Sequence, residues 1–219
     1  MVEGTKTRMK INQFHSGVAV GDAITDFMFQ LRDLIRSHGY ESEIFCEKVP
    51  QKLYREVRPI SDYQGSIDNI LLVHHSLGFD VFEKIQDLSD KKILIYHNVT
   101  PERFFDNDWA RGYARLGLTQ LKKYRHEVGY AITDSNFNRQ DMLRSGWPNR
   151  IDVMPVSMNI NRLDKVKADK KLLAKLRGTC NILFVVFASG EIRQIASVEK
   201  RQFGSAEIRQ FESIEKSQS

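Results

Sequence analysis

The chain has six histidines in 219 residues, and four of them close apolar runs. His15 ends KINQFH, His74 and His75 end NILLVHH, and His97 ends KKILIYH, with Asn98 after it. Asp134 and Ser135 follow a fourth such run, VGYAIT, and Gly17 and Gly21 bracket a turn just past His15, with Asp22 next in line. If the runs are strands of one parallel sheet, their carboxyl ends share an edge, so these side chains gather in one crevice. A single histidine there would ordinarily be a structural hydrogen-bonding residue. Three such positions beside a glycine turn lead us to expect a polar site lined by His15, His74, His75, Asn98, Asp134 and Ser135. A metal centre is not expected: His74 and His75 are adjacent in an extended run and point to opposite faces, with no acidic partner at ligand spacing. A serine hydrolase is excluded because no G-x-S-x-G elbow occurs.

The elements that must position these residues follow from the pattern of apolar positions. Residues 8–14 read as a first strand, and the helix after it carries Ile24, Phe27, Met28, Leu31, Leu34 and Ile35 on one stripe. Asp22 suits its N-cap and Gly39 its left-handed close. The turn between Gly17 and Asp22 therefore aims the positive end of a helix past the strand's carboxyl edge, where phosphorylated ligands bind in open α/β sheets. Further strands are expected at 42–47, 69–75, 91–97, 128–133 and 150–156, with a brief extended piece near VRPI. Helices are expected at 79–88, about 109–127 and 136–144. The runs at 69–75 and 91–97 are apolar throughout, as in strands buried on both faces. Alternation of this kind predicts an α/β, three-layer, Rossmann-like domain with a mainly parallel sheet over residues 8–156.

Composition sets the outer bounds. At 41% hydrophobic and 28% charged residues, the chain is an ordinary globular one. Two cysteines, Cys46 and Cys180, give neither a disulfide framework nor zinc spacing, which points to a reducing compartment. The N-terminus has no apolar leader segment and no run approaches the length of a membrane span. A cytoplasmic location is expected, and the net charge of +5 is compatible with peripheral contact at the inner membrane face. Nucleic acid is not expected as a partner.

Beyond 156 the character changes. Residues 157–187 read as a linker with a basic helix (KVKADKKLLAKLRG) and then NILFVVF, which looks like the opening strand of a second α/β domain. Residues 188–219 read instead as a low-complexity, non-domain tail, in which EIRQIASVEK and EIRQFESIEK are near-duplicates.

The order of motifs resembles the N-terminal domain of the family 4 (group 1) glycosyltransferases of the two-domain B fold. The stretches that carry the resemblance are QFHSGVAVGDAITDFMFQLRDLIRSHGYESEIFCE, ILLVHHSLGFD, ILIYHNVTPERFF, YAITDSNFNRQDMLRSGW and IDVMPVSMNI. The resemblance implies a retaining transferase that moves a hexose from a nucleotide-sugar donor to a glycan or lipid-linked acceptor, with the acceptor held on this domain. It implies His97 as the catalytic histidine near the transferred sugar. It also implies Gly17, Gly21 and Asp22 as the loop near donor phosphate and acceptor, and no metal or other cofactor. In the family a second domain carries the nucleotide pocket and a paired-glutamate motif. The duplicated tail stands where that domain would begin, so the expectation is a truncated chain with doubtful stand-alone activity. Two alternatives stand beside it. One is a non-catalytic glycan- or partner-binding α/β module. The other is a dinucleotide-binding oxidoreductase using Gly17, Gly21 and Glu47, whose glycine spacing departs from G-x-G-x-x-G.

Overall fold

The computed structural model describes residues 9–148, 150–157, 167, 169–176, 184–188 and 191–196. It divides into two compact units, Met1–Asn159 and Ile160–Ser219. The first is an α/β domain of three layers. Its elements run β1 (Ile11–Gly17), α1 (Ala23–Ser37), β2 (Ile44–Lys48), β3 (Arg58–Pro59), β4 (Ile70–His75), α2 (Phe82–Gln86), β5 (Lys91–Tyr96), α3 (Asp108–Glu127), β6 (Tyr130–Thr133), α4 (Asn136–Arg144) and β7 (Arg150–Val153). The seven strands form one sheet in the order β3-β2-β1-β4-β5-β6-β7, and every neighbouring pair is parallel. This is the doubly wound arrangement expected from the sequence. The order reverses between β1 and β4, which leaves a crevice above their carboxyl ends.

Alternation along the strands sorts the core into two layers. Phe14, Leu71, Val73, Leu94 and Tyr96 pack with Phe79, Phe82, Leu121 and Tyr124 on the face covered by α2 and α3. Leu72 and Ile95 pack with Phe27 of α1 on the other face. α3 lies close to the chain leaving β4 because two glycines meet there. A Cβ on Gly117 would stand 2.7 Å from the Gly78 backbone nitrogen, and one on Gly78 would stand 2.7 Å from that of Gly117.

Several boundaries differ from the expectation. β1 ends at Gly17 rather than at residue 14, so His15 lies inside the strand. Its polar residues hid this: Gln13 and His15 are buried on one face while Phe14 is buried on the other. α2 has five residues instead of ten, although Phe79, Phe82 and Ile85 are buried as anticipated. On α1, Leu34 is 54% exposed and does not belong to the packed stripe, whereas Arg32 is buried. Arg32 is held there by Glu56, through both its backbone carbonyl and its carboxylate.

In the second unit, α5 (Lys170–Leu176) is the basic helix foreseen in the linker. β8 (Phe184–Ala188) pairs antiparallel with β9 (Glu191–Ala196). An opening strand of a parallel domain would be followed by a crossover, so this hairpin departs from the expected second-domain start. It also places a strand at the beginning of the stretch expected to be a non-domain tail. The second copy of the duplication, at 207–216, lies outside the described residues.

Candidate functional site

Four strands build the polar cluster at their carboxyl ends. β1 turns Gln13 and His15 toward the α1 side, β4 turns His74 the same way, and His97 follows the last residue of β5. Asp134 follows β6, just ahead of Ser135, whose hydroxyl caps α4 by accepting from Asn138 N–H at 3.2 Å. The β1 turn is open, since a Cβ on Gly17 or Gly21 would meet nothing within 4 Å. Gly21 has φ +81°, which an L side chain adopts only with strain. Asp22 caps α1 as expected, accepting from the backbone N–H and the hydroxyl of Thr25, both at 2.8 Å.

A continuous hydrogen-bonded line crosses the crevice floor. Gln13 donates its amide N–H to the Met28 carbonyl at 3.0 Å, and its Oε1 lies 3.0 Å from His74 Nε2. The Met28 carbonyl can only accept, so the Gln13 amide is oriented and His74 must carry its proton on Nε2. Burial, seconded by the charges of His97 and His15, holds His74 far below the ordinary histidine range, so it is neutral and its Nδ1 is an acceptor. His97 Nε2 stands 2.9 Å from that Nδ1 and donates to it. The two rings are within 7° of coplanar with centroids 5.2 Å apart, so they meet edge to edge, and Phe27 packs against both at 5.9–6.0 Å.

The line ends at a carboxylate. His97 Nδ1 is buried, makes no hydrogen bond, and faces Asp134 Oδ2 at 3.6 Å. Burial works against ionisation of Asp134, but the neighbouring His97, together with Asn138 and Ser135, outweighs it and holds the carboxyl below its usual range. Beside this line, His15 spans the switch between β1 and β4, with Nδ1 bonded to the Gly17 carbonyl and Nε2 2.9 Å from Ser76 Oγ. Burial dominates its titration too and brings it down to about 4.

The structure thus gathers His15, His74, His97 and Asp134, with Gly17–Asp22 alongside. It does not bring His75 to them. Pointing to the other face of the sheet, His75 is fully buried between Phe79, Tyr96 and Tyr124 and donates from Nε2 to the Gly117 carbonyl at 2.9 Å. The alternation of a strand requires this, and the expectation that His75 lines the cleft is corrected accordingly. Asn98 sits at the edge with φ +76°, the positive-φ residue other than glycine among those described, and its Oδ1 accepts from the Tyr96 hydroxyl at 3.3 Å. His97, expected to act on substrate, has a side chain only 2% exposed and both nitrogens turned into the protein. Sequence reasoning missed Gln13, which looked like the polar interruption of a strand. Its signal was its place two residues before His15, on the same face.

Glu47 is turned away from the β1 turn. It accepts from Val81 N–H at 2.9 Å on the α2 side, which does not suit a ribose contact. Among the described residues no cluster of His, Cys, Asp and Glu could hold a metal ion, and no helix is long and apolar enough to cross a membrane. No family model matches the chain, and no curated protein matches it.

Proposed function

We propose that this chain carries the acceptor-side domain of a family 4-like glycosyltransferase, which holds a glycan or lipid-linked acceptor to receive a hexose from a nucleotide-sugar. The observation that carries the reading is the coincidence of the β1/β4 switch with the open Gly17–Asp22 turn and the line Gln13–His74–His97–Asp134 at one sheet edge. Glycosyl transfer passes through an oxocarbenium-like state while negative charge grows on the departing diphosphate. The positive dipole end of α1, beside the open Gly17–Asp22 turn, suits that charge. His97, held as it is, contributes through the charge and position of Asp134 rather than by proton transfer from its own nitrogens.

A second reading is a glycan-binding module without turnover. One observation favours it: the inward-facing nitrogens of His97. Calorimetric titration of the full chain with nucleotide-sugars and with candidate glycan acceptors, alongside a transfer assay, separates the two. Binding of an acceptor weakened by His97→Ala is the expected result, and transfer decides whether turnover accompanies it. Tight binding of a nicotinamide dinucleotide with no binding of any glycan would overturn both in favour of an oxidoreductase.

A further inference from the structure

Asp134, not His97, is the solvent-facing end of the line. Its side chain is 21% exposed where that of His97 is 2% exposed. Each carboxylate oxygen has two lone-pair directions. One direction on Oδ1 is taken by Asn138 Nδ2, and Oδ2 faces His97. Ser135 also lies against the carboxylate, and the acceptor capacity that these three neighbours leave is available to a ligand. Behind the carboxylate, every proton is assigned: Gln13 is fixed by Met28, His74 by Gln13, and His97 Nε2 by His74. The one unassigned atom in the line is the buried His97 Nδ1, which points at Asp134. That is a support built behind an anion, with Phe27 sealing its flank. A fixed carboxylate with free acceptor directions on a partly exposed edge suits neighbouring hydroxyl groups, which can donate to both oxygens.

We infer that Asp134 is the ligand-contacting anion of this edge, that it binds the vicinal hydroxyls of a sugar or polyol, and that His97, His74 and Gln13 are positioning residues which keep it ionised and aimed. This rests on the glycosyltransferase reading for the class of ligand and narrows that reading to one contact.

The test uses the full chain with a panel of free hexoses and myo-inositol, followed by amide NMR shifts at Asp134 and Ser135 and by imidazole nitrogen shifts of His97. Asp134→Asn is the informative variant, because an asparagine amide can donate to His97 Nδ1 while its carbonyl still accepts from Asn138. It removes the charge and keeps the connections. The expected result is that at least one sugar shifts Asp134 in the native chain, and that Asp134→Asn weakens it about tenfold or more. Asp134→Ser should give the same loss of binding, and serves if the asparagine variant does not fold. Sugar binding by Asp134→Asn within about twofold of the native chain would overturn the inference. So would the absence of any sugar-induced shift at Asp134. Failure of nucleotide-sugar and acceptor titrations while free hexoses still shift Asp134 would sink the transferase reading and leave this contact standing.

Discussion

Acid should unfold this domain through its buried histidines, and His75 gives the cleanest measure of it. His75 is fully buried, and burial, partly offset by its bond to the Gly117 carbonyl, lowers it from 6.5 to about 4. The unfolded chain takes up a proton near 6.5 and the folded chain does not until near 4. His75 therefore contributes its full stability above about pH 6.5, and that contribution is lost as pH falls toward 4. At about 1.4 kcal/mol for each pH step of one, the loss is about 3 kcal/mol. His15, also buried, adds a loss of similar size over the same window, so together they remove a large share of the roughly 5–15 kcal/mol that holds a typical domain. The perturbation is His75→Phe, which keeps an aromatic ring among Phe79, Tyr96 and Tyr124 and removes the donor to Gly117. At pH 7.5 the variant should be less stable by about 1–3 kcal/mol, since a buried carbonyl loses its partner. Urea unfolding followed by far-ultraviolet circular dichroism, repeated from pH 7.5 to 4.5, should show the gap between the two proteins narrowing steadily. Parallel stability curves across that range would refute the assignment of His75 as a buried neutral donor.

Two further outcomes follow from local geometry. Gly117→Ala would put a methyl group 2.7 Å from one backbone atom and 3.1 Å from another, so α3 must shift; we expect a loss of about 2 kcal/mol or more, read as a lower thermal midpoint. Asp22→Ala removes two 2.8 Å bonds at the start of α1 and should cost about 1 kcal/mol in urea unfolding, with Asp22→Asn recovering most of it.

Most of the sheet could be read from the chain because β4 and β5 are buried on both faces and so carry unbroken apolar runs. Asp22 and Ser135 announced their helices because capping is a local interaction, and α4 fell on the residues expected. The carboxyl end of β1 was harder. Gln13 and His15 are buried for the hydrogen bonds they make, and a polarity pattern registers them as the end of a strand rather than as its core-facing residues. The site was legible as a set of strand ends and illegible as a set of contacts. Whether His74 or His75 enters the cluster depends on which face each occupies, and that is settled by which helix packs there. The burial of His97 behind Asp134 depends on Phe27, from an element about seventy residues away in the chain. The hairpin of β8 and β9 escaped the reading because NILFVVF is equally suited to a parallel or an antiparallel partner, and only its neighbour decides.

The strand order also has a kinetic side. Each strand of the sheet is joined to its neighbour by a long loop or a helix, so no pairing can form as a simple hairpin. β1 meets β2 early in synthesis, but its other edge waits for β4, whose first residue, Ile70, pairs with Ile11. Until Ile70–His75 has emerged, β1 presents an unpaired edge with Phe14 uncovered on one side, and the histidine line has neither of its inner imidazoles. Closing such distant contacts carries an entropic cost before any burial repays it, which makes parallel sheets slow to complete. Pairing of β1 with β4 is therefore the step that first brings Gln13 and His15 to His74, and the polar crevice is complete only when β5 and β6 add His97 and Asp134.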